Sequence, residues 1–138
     1  MKPFQSQLRL HKWTVDEAQR RLGELMRLAD RLRQDLADLE AEAIREQALA
    51  AQSLEWGMTY GAYAARVVER REKLNRSIVE VDGQVEQARD ALKDAFAELK
   101  KFELAAEAAE ERAKKKRDQR EQTTLDEVAI GIFRGQNK

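Results

Sequence analysis

The stretch from Leu74 to Ala113, LNRSIVEVDGQVEQARDALKDAFAELKKFELAAEAAEERA, contains an uninterrupted heptad repeat of more than five heptads. With Ile78 at position a, apolar residues fill both seam positions, a and d. The a positions are Ile78, Val85, Leu92, Leu99, Ala106 and Ala113, and the d positions are Leu74, Val81, Ala88, Ala95, Phe102 and Ala109. A sustained a/d seam predicts a coiled-coil helix, which needs a partner helix to cover its apolar stripe.

The composition is typical of a long-helix protein and argues against nucleic-acid-binding, secreted and membrane-spanning proteins. The chain has 138 residues with one Pro, six Gly and 38% charged residues, which is typical of coiled coils. Its 26 basic and 26 acidic residues cancel, so no overall charge favours nucleic acid as a partner. The absence of Cys fits a reducing cytoplasm. Neither a signal-peptide pattern nor 18 consecutive apolar residues occur, so we expect a cytoplasmic protein without direct membrane insertion.

A second heptad repeat, from Leu8 to about Gln52, supplies the partner helix in the same chain. Its a positions are Leu8, Val15, Leu22, Ala29, Leu36, Ala43 and Ala50, and its d positions are His11, Ala18, Leu25, Leu32, Leu39 and Glu46. Two starts compete: a capping box at Thr14-Val15-Asp16-Glu17, and an earlier start near Pro3. Leu8 already lies on the stripe, which favours the earlier start.

The segment SLEWGMTYGAY, residues 53–63, contains two Gly within five residues and separates the two repeats. Gly57 suits the C-cap of one helix and Thr59 the N-cap of the next, so we expect the chain to reverse here. The predicted fold is all-α. It is a long antiparallel two-helix coiled-coil hairpin that forms a single domain over residues 1–138, with helix 1 at about 5–52, the turn at about 53–59 and helix 2 at about 60–133.

The register follows from the sizes of facing residues. If the numbers of paired residues sum to about 110, Leu36 faces Leu74 and Ala29 faces Val81, so small residues meet larger ones. A sum near 117 would place Ala29 against Ala88 and leave a thin layer. At 110, Met1 lies beside about residue 109. The last 25 to 30 residues then have no partner in the chain and overhang by roughly 40 Å if helical.

Two features of this overhang are candidate contact surfaces. The first is the run RAKKKRDQREQTT, residues 112–124, where Lys114, Lys115, Lys116 and Arg117 either form a solvated helix face or contact an acidic protein surface. The second is an apolar group that the continued heptad turns away from the seam, comprising Leu125, Val128, Ile132 and Phe133. This group suits another protein, unless the terminal segment folds back or frays.

Aromatic residues after the turn form a further candidate surface. Tyr60, Tyr63 and Val67 have the spacing i, i+3, i+7 and share a helix face, which suits a partner anchored by aromatic side chains. Trp56 and Met58 fit equally well a tip that closes over itself.

Nothing in the sequence indicates catalysis. His11 is the only His and occupies a d position facing Leu99 or Phe102, so we interpret it as a seam imidazole. The sequence shows no Gly-rich phosphate loop, no Ser-His-Asp set and no metal-ligand spacing. We therefore expect no catalytic residue, no cofactor and no metal site.

Three segments resemble the FliJ family of flagellar type III export proteins. They are LRLHKWTVDEAQRRLGEL at 8–25, YGAYAARVVERREKL at 60–74 and LDEVAIGIF at 125–133, and they match in order and separation as well as in residues. The resemblance covers nearly the whole chain. It implies an antiparallel two-helix coiled coil similar to the central stalk of rotary ATPases, and a protein that is not itself an ATPase.

The same resemblance implies the partners. A hexameric FliI-like export ATPase would receive the terminal helices in its pore, and a FlhA-like export gate and export chaperones would contact other surfaces. The ATPase-facing residues would be Lys114, Lys115, Lys116, Arg117, Leu125, Val128, Ile132 and Phe133, and the gate-facing residues Tyr60, Tyr63 and Val67. The hydroxyl of Tyr63 would need water or a partner. Two alternatives stay open: a scaffold or tethering coiled coil, and a helical-hairpin chaperone, each without an ATPase partner.

Overall fold

The computed structural model describes residues 4–136, and nearly all of them lie in two helices. Helix α1 runs from Gln5 to Ala50 and helix α2 from Leu54 to Gln136. Both are built from Ala, Leu, Glu, Lys, Arg and Gln, which lose little side-chain freedom in a helix. Over residues 4–136, neither helix has a stretch both long and apolar enough to cross a membrane.

Helix α1 begins early, as the position of Leu8 on the stripe predicts. Phe4 adopts a left-handed backbone conformation with φ at 62°, and its carbonyl oxygen accepts a hydrogen bond from the Leu8 amide at 2.8 Å. The rival capping box is helix interior instead, where the Thr14 hydroxyl donates to the Leu10 carbonyl oxygen at 3.0 Å. Pro3 lies outside the described residues.

The predicted position of the turn is wrong by several residues. The turn occupies residues 51–53, and residues 54–59, which we expected to be turn, form the first part of α2. Ser53, a residue type favoured at the N-cap, precedes α2, and its carbonyl oxygen accepts from the Gly57 amide at 3.0 Å. Gly57 has no positive φ, so it is an ordinary helical residue and caps nothing. Helix α2 also extends past the predicted end at residue 133.

The predicted seam is confirmed at every position. Each a and d residue of both heptad repeats is buried or half-buried. Among them, Val15, Leu25, Ala29, Leu74, Val81, Val85, Ala88 and Ala95 are buried. The two long helices pack against each other along this stripe, which confirms the all-α helical hairpin.

Contacts along the chain divide it into two compact units. One unit is Asp16–Asp94, and the other joins Met1–Val15 to Ala95–Lys138. The core of the Asp16–Asp94 unit is a cluster of five buried residues from both helices, with Leu22 and Leu32 packed against it. The five are Leu25, Ala29, Val81, Val85 and Ala88. Helix α1 contributes Leu25 and Ala29 to the cluster and α2 contributes two Val and one Ala, so each side combines larger and small residues.

Three cross-helix contacts give number sums of 111 to 115, which lie between the two registers considered, so they do not select 110 over 117. The numbers of Glu40 and Arg71, which form an ion pair, sum to 111. Those of Arg33 and Asp82, paired at 2.6 Å between Nη2 and Oδ2, sum to 115. In the other unit, His11 stacks on Phe102 with 4.4 Å between ring centroids, and these numbers sum to 113. The predicted place of Met1 beside residue 109 lies outside the described residues.

Aromatic side chains pack together in the unit that contains the start of α1. The ring of Phe102 is stacked on His11 at an interplanar angle of 21°, and Phe4 meets it edge-on at 6.2 Å. His11 is therefore a seam residue facing Phe102, as predicted. The left-handed backbone of Phe4 costs about 1–2 kcal/mol for a residue with a Cβ, and an edge-on aromatic pair contributes about 0.5–1.5 kcal/mol in the opposite direction.

Candidate functional site

The C-terminal arm, defined here as residues 114–136, is helical and carries no partner segment. Each of its residues is exposed, whereas the a and d residues from Leu99 to Ala113 are half-buried. The side chains of the arm form hydrogen bonds within the arm itself. Gln122 Nε2 donates to Asp126 Oδ1 at 3.0 Å, and the Thr124 hydroxyl donates to the Arg120 carbonyl oxygen at 2.9 Å. The arm thus offers its whole circumference for contact.

A positively charged stretch, the basic run, begins two residues before the arm and continues into it. It comprises Arg112, Lys114, Lys115, Lys116, Arg117 and Arg120. Across the part of the chain that the structure describes, one acidic contact to this run is present, from Arg117 Nη2 to Glu110 Oε1 at 3.9 Å. A contact that long between exposed groups is weak, so the cations stay free to meet an acidic surface.

Beyond the basic run the arm carries an apolar stripe, consisting of Leu125, Val128, Ile132 and Phe133. These residues have the spacing i, i+3, i+7 and i+8 and lie on one helix face. Leu125 and Phe133 are each 63% exposed, and the other two are more than half exposed. Because α2 is continuous through this region, the heptad phase carries over, and the stripe faces away from the seam side of the same helix.

Ile130 was not among the predicted contact residues, yet it is also about half exposed. It lies about 140° around the helix from Leu125, away from the centre of the stripe. Hydrophobicity alone would have included Ile130, but helical spacing separates it from the others.

The hairpin tip, residues 46–67, holds the second predicted surface, and here the structure separates the three predicted residues. Tyr60 and Tyr63 are half-buried, with ring centroids 6.1 Å apart. Val67 is only 6% exposed and lies in the seam, so its side chain is not presented to a partner. Its neighbour Val68 is exposed instead. The spacing i, i+3, i+7 correctly places the three on one face, but that face packs towards α1.

Tyr63 has an unusual environment at the tip. Its hydroxyl oxygen is buried and makes no hydrogen bond with any described residue. Burial of the hydroxyl raises the pKa of Tyr63 above 10.0, and the negative charges of Glu42 and Glu46 act in the same direction. The expectation that this hydroxyl needs water or a partner therefore stays a prediction.

Other large apolar side chains at the tip are more accessible than the predicted ones. Leu54 and Met58 are the most exposed apolar residues of this region, and Trp56 is about half exposed. The alternative in which Trp56 and Met58 close the tip over themselves is therefore wrong for Met58, which is 79% exposed. The early start of α2 places these residues on a helix, which the predicted turn did not anticipate.

An ion pair between Glu40 and Arg71 crosses the seam near the tip. Arg71 occupies a seam position, as the heptad phase indicates, and its Nη2 donates to Glu40 Oε2 at 3.0 Å, with a second contact from Nε to Oε1. The hydrogen bonds from Arg71 lower the pKa of the Glu40 carboxyl, and the same bonds raise the pKa of Arg71. In a register near 110 residue 71 lies beside residues 39 and 40, so the sequence already places Arg71 next to Glu40.

No group of three or more His, Asp or Glu side chains in residues 4–136 is placed to hold a metal ion. The recesses between the helices are shallow and open to solvent, and they lie along the seam. The exposed basic and apolar side chains of the described residues are concentrated on the C-terminal arm and at the hairpin tip.

Comparison with known proteins gives one consistent result. The model of the family described as "Flagellar FliJ protein" matches residues 1–138. The chain is similar to the Flagellar FliJ protein of Caulobacter vibrioides strain NA1000 / CB15N, with 35% identity over 127 residues, covering 91% of this chain and 90% of that protein. The protein of the same name from strain CB 15 matches equally well. No solved structure matches the chain.

Proposed function

Because the chain belongs to the FliJ family of flagellar proteins, we propose that it acts in flagellar protein export as a non-enzymatic stalk that binds the hexameric export ATPase through its C-terminal arm. The observation that carries this proposal is the exposure of the whole arm, residues 114–136, in a helix that continues from the packed hairpin. A helix with no partner in its own chain, yet with an apolar stripe, suits insertion into another protein.

The two parts of the arm have different roles in this proposal. The basic run acts at a distance: it speeds encounter with acidic groups of the ring, in a manner that salt screens. The apolar stripe acts at contact, where burial of Leu125, Val128, Ile132 and Phe133 supplies most of the affinity.

The proposal is tested by removing residues 124–138 and measuring both hairpin stability and stimulation of the ATPase. The removed residues that the structure describes, 124–136, are exposed and contribute nothing to the seam, so thermal unfolding of the hairpin stays unchanged while stimulation is lost. Replacement of Lys114, Lys115, Lys116 and Arg117 by Gln is the matched variant. It weakens ring binding at low salt and has little effect at high salt. Full stimulation by the truncated protein contradicts the proposal.

A second contact, with the export gate or with export chaperones, is proposed at the hairpin tip. The side chain of Trp56, about half exposed, lies on the same helix face as Tyr60 and Tyr63 and lines one recess with them, whereas Leu54 and Met58 are exposed on the opposite face of α2. Trp56→Ser should weaken capture of the gate's cytoplasmic part without altering ATPase stimulation, and Met58→Ser, on the opposite face, is the matched control. Equal capture by Trp56→Ser and the unaltered protein would remove the tip from the interface.

A scaffold or tethering role without an ATPase predicts a different partner set. Affinity capture from lysate, followed by identification of the bound proteins, separates the two: the export ATPase supports the stalk, and strong self-association without it supports the scaffold.

A further inference from the structure

The end of the C-terminal arm differs in composition from the helix that leads into it. Residues 110–122, EERAKKKRDQREQ, include neither Gly nor a β-branched residue. Residues 123–136, TTLDEVAIGIFRGQ, include five β-branched residues and two Gly. Such residues lose more conformational freedom in a helix than Lys, Arg, Glu or Gln do.

Tertiary packing normally compensates for poor helix formers, but this segment has none. Each of residues 123–136 is exposed, and a Cβ added at Gly131 or Gly135 would meet no atom within 4 Å. The hydrogen bond from the Thr124 hydroxyl to the Arg120 carbonyl oxygen is a back-bond that slightly destabilises helices. The helical conformation of residues 123–136 is favoured only by the preceding helix, which removes the free-energy cost of nucleation.

The apolar stripe exists only while this segment is helical. Leu125, Val128 and Ile132 are three and four residues apart, so an extended chain does not present them on one side. A partner that binds the stripe therefore binds the helical form of the segment. The free-energy cost of ordering the segment then reduces the net binding free energy.

We propose that residues 123–136 are only marginally helical in the free protein and complete their helix on the export ATPase ring, so that binding is coupled to folding of the arm. This inference rests on the proposed function. It assigns the affinity of the arm to two separable quantities, the contacts of the stripe and the helical population of the segment.

Substitutions that leave the stripe residues unchanged vary chiefly the second quantity. Thr123 lies about 160° around the helix from Leu125, whereas Gly131 lies about 120° from Leu125 but only about 60° from Val128, so the Thr123 series is the cleaner test. Gly131→Ala should tighten binding of the full chain to the ring roughly fivefold, since Gly is about 0.8–1.0 kcal/mol less favourable than Ala in a helix and 1.4 kcal/mol is tenfold. Thr123→Ala should tighten binding about twofold to threefold, and Thr123→Gly should weaken it.

Hydrogen exchange of the free full-length protein provides the independent readout. Amides of residues 123–136 should exchange nearly as fast as in an unfolded peptide, while those of the buried seam, around Val81 and Val85, stay protected. Addition of the ring should slow the arm amides. Protection of the free arm equal to that of the seam, or affinity that does not follow the Thr123 and Gly131 series, overturns the inference.

The double variant Leu125→Ser/Ile132→Ser separates this inference from the proposed function. If it loses ring binding while the Thr123 series has no effect, the arm binds as a preformed helix and only the coupling is wrong. If it binds like the unaltered protein, the arm is not the contact, and both proposals fail.

Discussion

Truncation of Leu25 to Ala tests whether the seam cluster supplies the stability of the hairpin. Leu25 is 5% exposed and lies in the cluster formed with Ala29, Val81, Val85 and Ala88. The change removes three carbon atoms from this cluster, which at about 0.8 kcal/mol for each buried group costs about 2.4 kcal/mol. A cavity term adds to it, but a seam between two helices opens partly to water. We therefore expect about 3 kcal/mol, near the low end for Leu→Ala changes.

The measurement is thermal unfolding followed by far-UV circular dichroism. With an unfolding entropy of about 2.1 cal/mol/K per residue, a chain of 138 residues changes by roughly 0.29 kcal/mol per kelvin. A loss of about 3 kcal/mol thus lowers Tm by roughly 10 °C. Denaturant titration should give the same difference in free energy with an unchanged slope.

Leu10→Ala is the matched control for this prediction. Leu10 lies in the same helix, gains the same helix propensity on replacement by Ala, and is 59% exposed. We expect its stability to change by no more than about 0.5 kcal/mol. If the two variants lose the same stability, the seam cluster is not the source of the hairpin's stability, and the reasoning from burial is wrong.

Three further variants test individual sites by denaturant titration. Tyr63→Phe should be at least as stable as the unaltered protein, because its buried hydroxyl lacks a partner, and the advantage should grow above pH 10.0, where the unfolded Tyr63 ionises before the folded one. Glu40→Gln should be less stable at pH 7, but this difference should vanish as the pH falls below 4.5 through the lowered pKa of Glu40; a constant difference would show that the ion pair contributes nothing. Gly83→Ala should stabilise the chain by roughly 0.5–1 kcal/mol, since Gly83 is exposed in mid-helix and an added Cβ meets no atom within 4 Å. A loss of stability in Gly83→Ala would contradict this assignment.

The heptad spacing by itself determined which side chains are covered. Leu25, Val81 and Val85 were assigned to the seam from their positions alone, because a period of seven residues admits only one face to the partner helix. The same positions place His11 in the seam facing Leu99 or Phe102, and the packed structure selects Phe102.

The position of the turn could not be read from local residue preferences. Gly57 and Thr59 suit helix caps, but they lie inside α2, and the chain reverses at residues 51–53, before Leu54. Glycine permits a left-handed conformation without requiring it. The pairing of the helices on either side of the turn, rather than the glycine, sets where α1 must end.

Accessibility was likewise decided by tertiary packing. Val67 and Leu125 are both apolar residues at helical spacing from apolar neighbours, yet Val67 is 6% exposed and Leu125 is 63% exposed. The difference is whether another helix lies alongside. Periodicity assigns a side chain to a face of its own helix, but only the packed structure decides whether that face is covered by α1, as at Val67, or left open, as along the C-terminal arm.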